Sequence, residues 1–230
     1  MMGQRLSGGR FLVGLALLCS ILPLAGCRVL MRLPEPRGAH QTAPVDPGSV
    51  EGLGPWVEDK DAGRLASVTA VDLRAYAVLV VEPVTLRAPD IAEDDRRVAD
   101  EISRVLHEKL VMRLGETGVF AQVVDGRTGL APGSPGNQLR LRGEITRFDV
   151  GNRALRWLVG FGAGRTKLQV ETRFVDSESG QPVLASADRR VASKGLFGGD
   201  SREFLLASAD EIARGLGGLL KRLATGTPAR

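Results

Sequence analysis

The sequence predicts an α+β fold, a two-layer sandwich in which two helices pack on one face of a mainly antiparallel sheet of about five strands. Three observations lead to this prediction. A continuous apolar run precedes a long helical pattern, several stretches of alternating apolar and polar residues follow, and a second long helical pattern comes last. The order strand, helix, strands, helix is typical of this two-layer class.

The first predicted strand covers Ala77 to Val81, an apolar run that stops at Pro83 and should be central in its sheet, covered on both faces. A long helix follows, with acidic residues before it and glycines after it. Its apolar stripe consists of Val98, Ile102, Val105, Leu106, Leu110 and Leu114. The acidic residues are Asp90, Glu93, Asp94 and Asp95. They suit the positive end of the helix macrodipole, and this interpretation is preferred to a metal site because no histidine accompanies them.

An antiparallel meander is predicted after a second strand over Val119 to Val124. Apolar and polar residues alternate from Leu139 to Val150, but the phase changes within the run. A β-bulge near Thr146 or Arg147 would reconcile the two phases. The other two strands of the meander are Leu168 to Phe174 and Val183 to Ala192. One face of this meander should be exposed to solvent.

A C-terminal helix is predicted to begin at Asp200, which can cap it, with Glu203 three residues later. Its apolar stripe consists of Leu205, Ala209, Ile212, Leu216, Leu219, Leu220 and Leu223. Three glycines, at positions 215, 217 and 218, each cost about 1 kcal/mol relative to alanine in a helix. Two explanations stay open: the last turns fray, or they pack very closely on a neighbouring element.

The N-terminus predicts export followed by lipid attachment. Arg5 and Arg10 precede an apolar run from Phe11 to Leu22, and Leu24-Ala25-Gly26-Cys27 follows it. The run is shorter than the roughly 20 residues of a membrane span, and an ordinary secretory signal is the other alternative. The four residues resemble a bacterial lipobox. That resemblance implies cleavage before Cys27 and acylation of its thiol, and Arg28 after it implies transfer to the outer membrane.

The predicted organisation has four parts: a signal peptide over 1–26, a lipidated cysteine and proline-rich tether over 27–73, one domain over 74–225, and a disordered tail over 226–230. The tether prediction depends on five prolines among small and charged residues without a sustained apolar period. Near its end, Leu65, Val68, Val71 and Leu73 could dock on the domain as an edge segment.

The segment from Asn152 to Arg165 is the most unusual part of the predicted domain. It combines apolar side chains with arginines, namely Leu155, Trp157, Leu158 and Phe161 with Arg153, Arg156 and Arg165. It is interpreted either as an apolar lid that folds onto the sheet or as an exposed tip that contacts a partner protein or lipid. Its glycines resemble a phosphate-binding loop, but a strand rather than a helix follows, which argues against nucleotide binding.

The residue types argue against catalysis, a cofactor or a metal centre. His40 lies in the tether, and His107 is expected at the edge of the packed helix stripe or facing solvent. No zinc, nucleophile–base or Walker motif is present, although a carboxylate-dependent hydrolase stays open because paired acids can be distant in sequence.

The formal net charge of +4 falls to +2 once Arg5 and Arg10 are removed, so we expect no nucleic-acid partner, and no small-molecule substrate is identified. A basic excess between Arg140 and Arg173 is interpreted either as solvated arginine or as attraction to lipid headgroups or an acidic partner.

Several motifs resemble uncharacterised bacterial lipoproteins grouped as domain-of-unknown-function family 4410. They are Gly143 to Asp149, Arg156, Gly160 to Gly164, Leu168 to Val170 and Phe174 to Gly180. The resemblance covers roughly residues 75 to 222 and implies a fold similar to curli-secretion lipoproteins and to the N-terminal domain of the Tol-system β-propeller protein. It carries over no catalytic residue.

The function predicted on this basis is that of a non-catalytic, lipid-anchored protein of the outer membrane that faces the periplasm. It would act with an envelope protein partner in assembly, secretion or transport. An accessory lipoprotein of a lipid or solute ABC transporter and a carboxylate-dependent envelope hydrolase are the alternatives.

Overall fold

Nine strands and two α-helices make up the described part of the chain in this computed structural model, which covers residues 40–42, 47–69, 71–89, 91–129, 137–151, 165–192 and 200–226. The strands are β1 (His40–Thr42), β2 (Val57–Asp59), β3 (Gly63–Ser67), β4 (Val78–Val81), β5 (Thr85–Leu86), β6 (Gln122–Asp125), β7 (Gln138–Asp149), β8 (Lys167–Asp176) and β9 (Pro182–Ala192). The helices are α1 (Arg96–Gly115) and α2 (Ser201–Ala224). Neither helix is both long and apolar enough to cross a bilayer.

The strands form one mixed sheet in the order β2-β3-β9-β8-β7-β4-β6, with β1 paired to β9 and β5 paired to β7. The meander β7-β8-β9 is antiparallel as predicted. In contrast, β4 runs parallel to both β6 and β7, and β5 runs parallel to β7. The prediction of about five mainly antiparallel strands is therefore too simple. Four short strands add to the predicted five, and α1 supplies the crossover that parallel strands need between β4 and β6.

Both helices pack on the same face of the sheet, which we call the inner face. One continuous apolar cluster joins both helices to alternate positions of the strands. Its wholly buried members include Leu79, Ile102, Leu106, Leu110, Leu114, Leu139, Leu141, Ile145, Leu168, Phe174, Leu184, Leu205, Leu219 and Leu220. The central strand β4 is buried along its whole length, as its unbroken apolar run predicts. Each such side chain contributes about 1.5–3 kcal/mol when it leaves water.

The phase change within β7 has the predicted cause. The register between β7 and β8 shifts between Ile145 and Arg147, so a β-bulge lies where the alternation of the sequence breaks. Because of this extra residue, Ile145 and Phe148 are both buried although they lie an odd number of positions apart. The prediction of a bulge near Thr146 or Arg147 is confirmed.

The folded region begins before residue 74, earlier than the predicted end of the tether. Strands β2 and β3 form a hairpin, and β3 pairs with β9 so that Leu65 lies opposite Ser186. Both Leu65 and Leu73 are buried in the main apolar cluster. The expectation that the end of this stretch docks on the domain as an edge segment is thereby confirmed. The tether assignment is wrong here because these few apolar residues have the long strand β9 to pair with, a partner that local composition does not reveal.

Helix α2 begins as predicted, with the Asp200 carboxylate accepting a hydrogen bond of 2.9 Å from the amide of Arg202. Its glycines allow close packing rather than fraying. A Cβ atom at Gly215 would overlap the carbonyl oxygen of Asp61, which lies in the turn between β2 and β3. Only a residue without a side chain lets the helix backbone come this close to the hairpin.

Candidate functional site

The outer face of the sheet, opposite the helices, carries the charged side chains of β7 and β8. Arg140, Arg142 and Glu144 alternate along β7 with leucine and glycine residues of the inner face. On β8, Glu171 and Arg173 alternate in the same way with buried residues. This follows from the two-residue period of a strand, which sends successive side chains to opposite faces.

A depression of about 370 Å³ lies on this outer face, and we call it the outer pocket. It is built where β7 and β8 lie beside the segment that joins β4 to β5. The residues that line it are Glu82, Pro83, Thr85, Arg87, Arg142, Gly143, Glu144, Glu171, Arg173 and Val175. Three glutamates and three arginines therefore converge on one concave surface.

The strand register places like charges side by side in the outer pocket. Arg142 lies directly opposite Arg173, and two residues further along β7, Glu144 lies directly opposite Glu171. Like charges at directly opposite positions destabilise an antiparallel pair, whereas opposite charges stabilise it. Taken as directly opposite pairs, these two positions therefore disfavour the sheet, although each arginine lies diagonally across from a glutamate.

Ion pairs satisfy only part of these charges. Glu82 accepts from Arg140 at 3.3 Å and from Arg142 at 3.1 Å. Glu144 lies 3.3 Å from Arg87. The remaining acid, Glu171, accepts hydrogen bonds only from neutral groups among the described residues: the Thr146 hydroxyl at 2.9 Å and the Gln169 amide at 3.1 Å.

Arg173 completes the set of six charged residues. Across the described ranges of the chain, no carboxylate lies within ion-pair distance of its guanidinium, although it is exposed and lies next to Glu171 on the same face of β8. One positive and one negative charge of the outer pocket are thus left without a counter-ion within the described part.

The charges of the outer pocket are also sorted by depth. The side chains of Glu82 and Glu144 are 26% and 25% exposed, whereas those of Arg142 and Arg87 are 57% and 68% exposed. Short carboxylate side chains form the floor, and the longer arginine side chains rise around it. The outer pocket therefore has an acidic floor and a basic rim.

His107 is buried on α1, contrary to the expectation that it lies at the edge of the stripe or faces solvent. Its Nε2 atom lies 2.8 Å from Asp125 and its Nδ1 atom lies 3.1 Å from the Glu82 carbonyl oxygen. Arg127 also holds Asp125, and together with His107 it lowers the pKa of that carboxyl well below its usual value. The ring thereby joins α1 to the ends of β4 and β6, which is a structural role.

A second buried polar group lies between β9 and α2 on the inner face. Asp188 pairs with Arg190 at 2.7 Å, and Arg190 reaches Glu211 of α2 at 3.5 Å. Burial raises the pKa of Asp188, although the nearby Arg190 opposes this shift. This group therefore connects β9 of the sheet to α2 of the helical layer.

All but one of the residues proposed from sequence as the lipid anchor and contact site lie outside the described residues. Cys27 and the proposed contact residues Arg153, Leu155, Arg156, Trp157, Leu158 and Phe161 lie outside the described residues. Arg165 is described, just before β8, and is partly exposed. Within the described part, no group of three or more potential ligands is arranged to hold a metal ion.

The outer pocket is a site that sequence reasoning missed. The alternation of charged residues along β7 and β8 was visible, as was the basic excess between Arg140 and Arg173. The pairing of Arg142 with Arg173 and of Glu144 with Glu171 depends on the register of two long strands. That register includes a bulge, so the exact partners could not be read from the sequence.

Comparisons with known proteins give a family match and remote structural similarities. A family model described as a domain of unknown function (DUF4410) matches residues 60–193. A search of the curated proteins returned no match. Among solved structures, the chain is similar to the PelC dodecamer from Paraburkholderia phytofirmans, with 12% identity, a TM-score of 0.41 and coverage of 66% of this chain and 96% of that one.

Two further solved structures show similarity of the same order. A DUF330 protein from Xanthomonas campestris has 10% identity and a TM-score of 0.43, with 64% of this chain and 86% of that chain covered. A putative lipoprotein from Caulobacter crescentus has 16% identity and a TM-score of 0.36, with 69% and 96% covered.

Proposed function

Since this chain belongs to the DUF4410 family, a domain of unknown function, we propose that it is a non-catalytic, lipid-anchored envelope protein that binds a partner through the outer face of its sheet. The observation that carries this proposal is the contrast between the two faces. The helices fill the inner face with apolar side chains. The outer face presents a concave site whose charges are only partly compensated within the described residues.

The proposed anchor is a lipid on Cys27. Leu24-Ala25-Gly26-Cys27 follows a short apolar run with two arginines before it. Several acyl chains on one cysteine supply the two or more signals that stable membrane attachment needs. Arg28 after the cysteine supports transfer to the outer membrane, where the folded region would face the periplasm.

The proposed second contact is the segment between β7 and β8, with its apolar residues Trp157 and Phe161. Its ends are well defined, because Asp149 and Lys167 lie opposite each other in the sheet and their charged groups are 3.6 Å apart. The segment therefore starts and finishes at one end of the β7-β8 pair. A partner protein of the envelope that covers the outer face could reach both regions.

Membrane fractionation and affinity purification test this proposal. Cys27→Ser should move the tagged protein from the membrane to the soluble fraction. Wild-type protein purified from detergent-solubilised envelope should retain an envelope protein. The double variant Arg142→Glu with Arg173→Glu should lose this partner, and Trp157→Asp should lose it as well. Arg104→Glu on α1 is the matched control, because Arg104 is exposed on the helical layer. Retention of the partner by every variant would refute the proposed surface.

A carboxylate-dependent hydrolase is the second candidate, because Glu144 and Glu171 lie side by side in the outer pocket. Opposite Cβ atoms in a sheet are about 4.5–5.5 Å apart, and retaining glycosidases hold their two carboxyl groups about 5–5.5 Å apart. However, a general acid must hold a proton that it can donate. Glu144 faces Arg87 and Glu171 accepts two hydrogen bonds, so both are arranged as acceptors.

Turnover distinguishes the two candidates. Purified protein would be incubated with isolated cell-wall glycan and the release of reducing ends measured. The binding function predicts no release above a boiled control. Release that disappears in both Glu144→Gln and Glu171→Gln would favour the hydrolase.

A further inference from the structure

We propose that the outer pocket binds the phosphoethanolamine headgroup of a zwitterionic phospholipid, with the ammonium group on the acidic floor and the phosphate at the basic rim. This inference adds a ligand to the proposed function. It does not depend on the lipid anchor or on a protein partner, because it rests on the charges, register and depth of the described residues alone.

The balance of charge favours a zwitterion. Three glutamates and three arginines line the outer pocket, so the lining carries no net charge. Ion pairs within the described residues occupy Glu82 with Arg142 and Glu144 with Arg87. Glu171 and Arg173 are left, one charge of each sign. A ligand with one positive and one negative group compensates both, whereas a purely anionic ligand leaves Glu171 without a counter-ion among the described residues.

The spacing of the two charges fits a short zwitterion. Glu171 and Arg173 are two residues apart on the same face of β8, a rise of about 6.6 Å along the strand. Two methylene groups and an ester oxygen separate nitrogen from phosphorus in phosphoethanolamine. In an α-amino acid, the ammonium and carboxylate groups are attached to the same carbon atom. They are therefore too close together to reach both Glu171 and Arg173.

The depth of the charges sets the direction of binding. The partly buried carboxylate of Glu171, which lies beside Glu144, can accept hydrogen bonds from an ammonium group, which has N–H donors that a choline group lacks. Arg142 and Arg173 then meet the phosphate, for which planar guanidinium groups are well suited. In a phospholipid the phosphate carries the glycerol and the acyl chains. Entry with the ammonium first therefore leaves the rest of the lipid at the mouth of the pocket.

The first test is calorimetric titration of the purified full-length chain with glycerophosphoethanolamine, the water-soluble form of this headgroup. Glycerol 3-phosphate, ethanolamine and glycerophosphocholine should each bind at least tenfold more weakly. Glu171→Gln and Arg173→Gln should each weaken binding at least tenfold. Gln at position 171 keeps an acceptor for Thr146 and Gln169, so the sheet is retained, and an unchanged melting temperature verifies this.

Matched controls come from the helical layer. Glu108→Gln and Arg104→Gln remove the same charges from an exposed pair on α1 and should leave binding unchanged. Equal binding of glycerol 3-phosphate would overturn the zwitterion, because it would mean that the rim alone binds an anion. Binding that survives both pocket variants, or no binding of glycerophosphoethanolamine, would overturn the site.

A second test identifies the source of the headgroup. Full-length Cys27→Ser protein would be floated with phosphatidylcholine vesicles that contain either phosphatidylethanolamine or phosphatidylglycerol. More protein should float with the vesicles that contain phosphatidylethanolamine. This recruitment should fall at least fivefold when Glu171→Gln is added to Cys27→Ser, and because both proteins have the same N-terminal segment, that segment cannot cause the difference. Binding of the soluble headgroup without recruitment to these vesicles would overturn the lipid as the ligand, as would equal recruitment to phosphatidylglycerol.

Discussion

Replacement of Arg222 by methionine should lower the free energy of unfolding by about 3 kcal/mol, because it removes the only charged partner that the described residues provide for a buried carboxylate. The side chain of Asp59 is fully buried, and Arg222 of α2 donates a hydrogen bond of 2.6 Å to it. Arg222 also pairs with Asp61 in the same turn. Methionine keeps most of the apolar stem of arginine, so the change removes mainly the guanidinium.

The magnitude follows from what Asp59 keeps and what it loses. Removal of one partner from a buried ion pair costs about 3–5 kcal/mol, since a charge is left without compensation. The low end applies here, because Asp59 still accepts the amide protons of Asp61 and Ala62 at 2.9 and 3.0 Å and Arg222 is 18% exposed. For a domain of this size, about 3 kcal/mol corresponds to a fall of about 6–12 °C in melting temperature.

Urea unfolding followed by circular dichroism measures this loss, and Arg214→Met is the matched control. Arg214 also lies on α2 and pairs with a carboxylate, but its side chain is 61% exposed and its partner Asp210 keeps Arg113 and Lys109. The control should change stability by less than about 1 kcal/mol. If Arg222→Met costs no more than Arg214→Met, the β2-β3 hairpin is not held by a buried charge pair and the reasoning is refuted.

Three further predictions concern packing and pH. Gly215→Ala should destabilise the protein, because its methyl group would overlap the Asp61 carbonyl oxygen, whereas Gly115→Ala at the open end of α1 should be neutral or stabilising by up to about 1 kcal/mol in the same urea experiment. Leu110→Ala should cost about 2–5 kcal/mol, since this fully buried side chain would leave a cavity that thermal unfolding should detect. Asp125→Asn should destabilise most at neutral pH. The pKa of Asp125 is lower in the folded chain than in the unfolded chain, where it is about 3.9. The carboxylate therefore adds to the free energy of unfolding above about pH 3.9, and this contribution is lost as the pH falls from there towards the lower pKa of the folded chain. Stability measured from pH 7 to pH 2 should therefore show the wild type and the variant converging in acid.

The sequence predicted correctly those elements of the fold that leave a pattern in consecutive residues. The continuous run at Val78 to Val81 indicated a buried strand, and the broken alternation in β7 indicated the bulge between Ile145 and Arg147. For the hairpin at Val57 to Ser67, the sequence predicted only that an edge segment could dock, because β9, which pairs with β3, lies more than a hundred residues away in the chain. His107 was misplaced because its partners, the carbonyl oxygen of Glu82 and the carboxylate of Asp125, come from the ends of the strands before and after α1.

The two faces of the sheet explain why the outer pocket can keep an unfavourable arrangement of charges. Two like-charge cross-strand pairs together cost about 0.4–2 kcal/mol, the sum of two pairs at about 0.2–1 kcal/mol each. One buried leucine of the inner face contributes about 1.5–3 kcal/mol, and that face contains many. The apolar side chains of the helix-covered face therefore outweigh the cost of the two like-charge pairs. The outer face can therefore hold Arg142 beside Arg173 and Glu144 beside Glu171, an arrangement that Glu82 and Arg87 compensate in part and that the proposed zwitterion would compensate further.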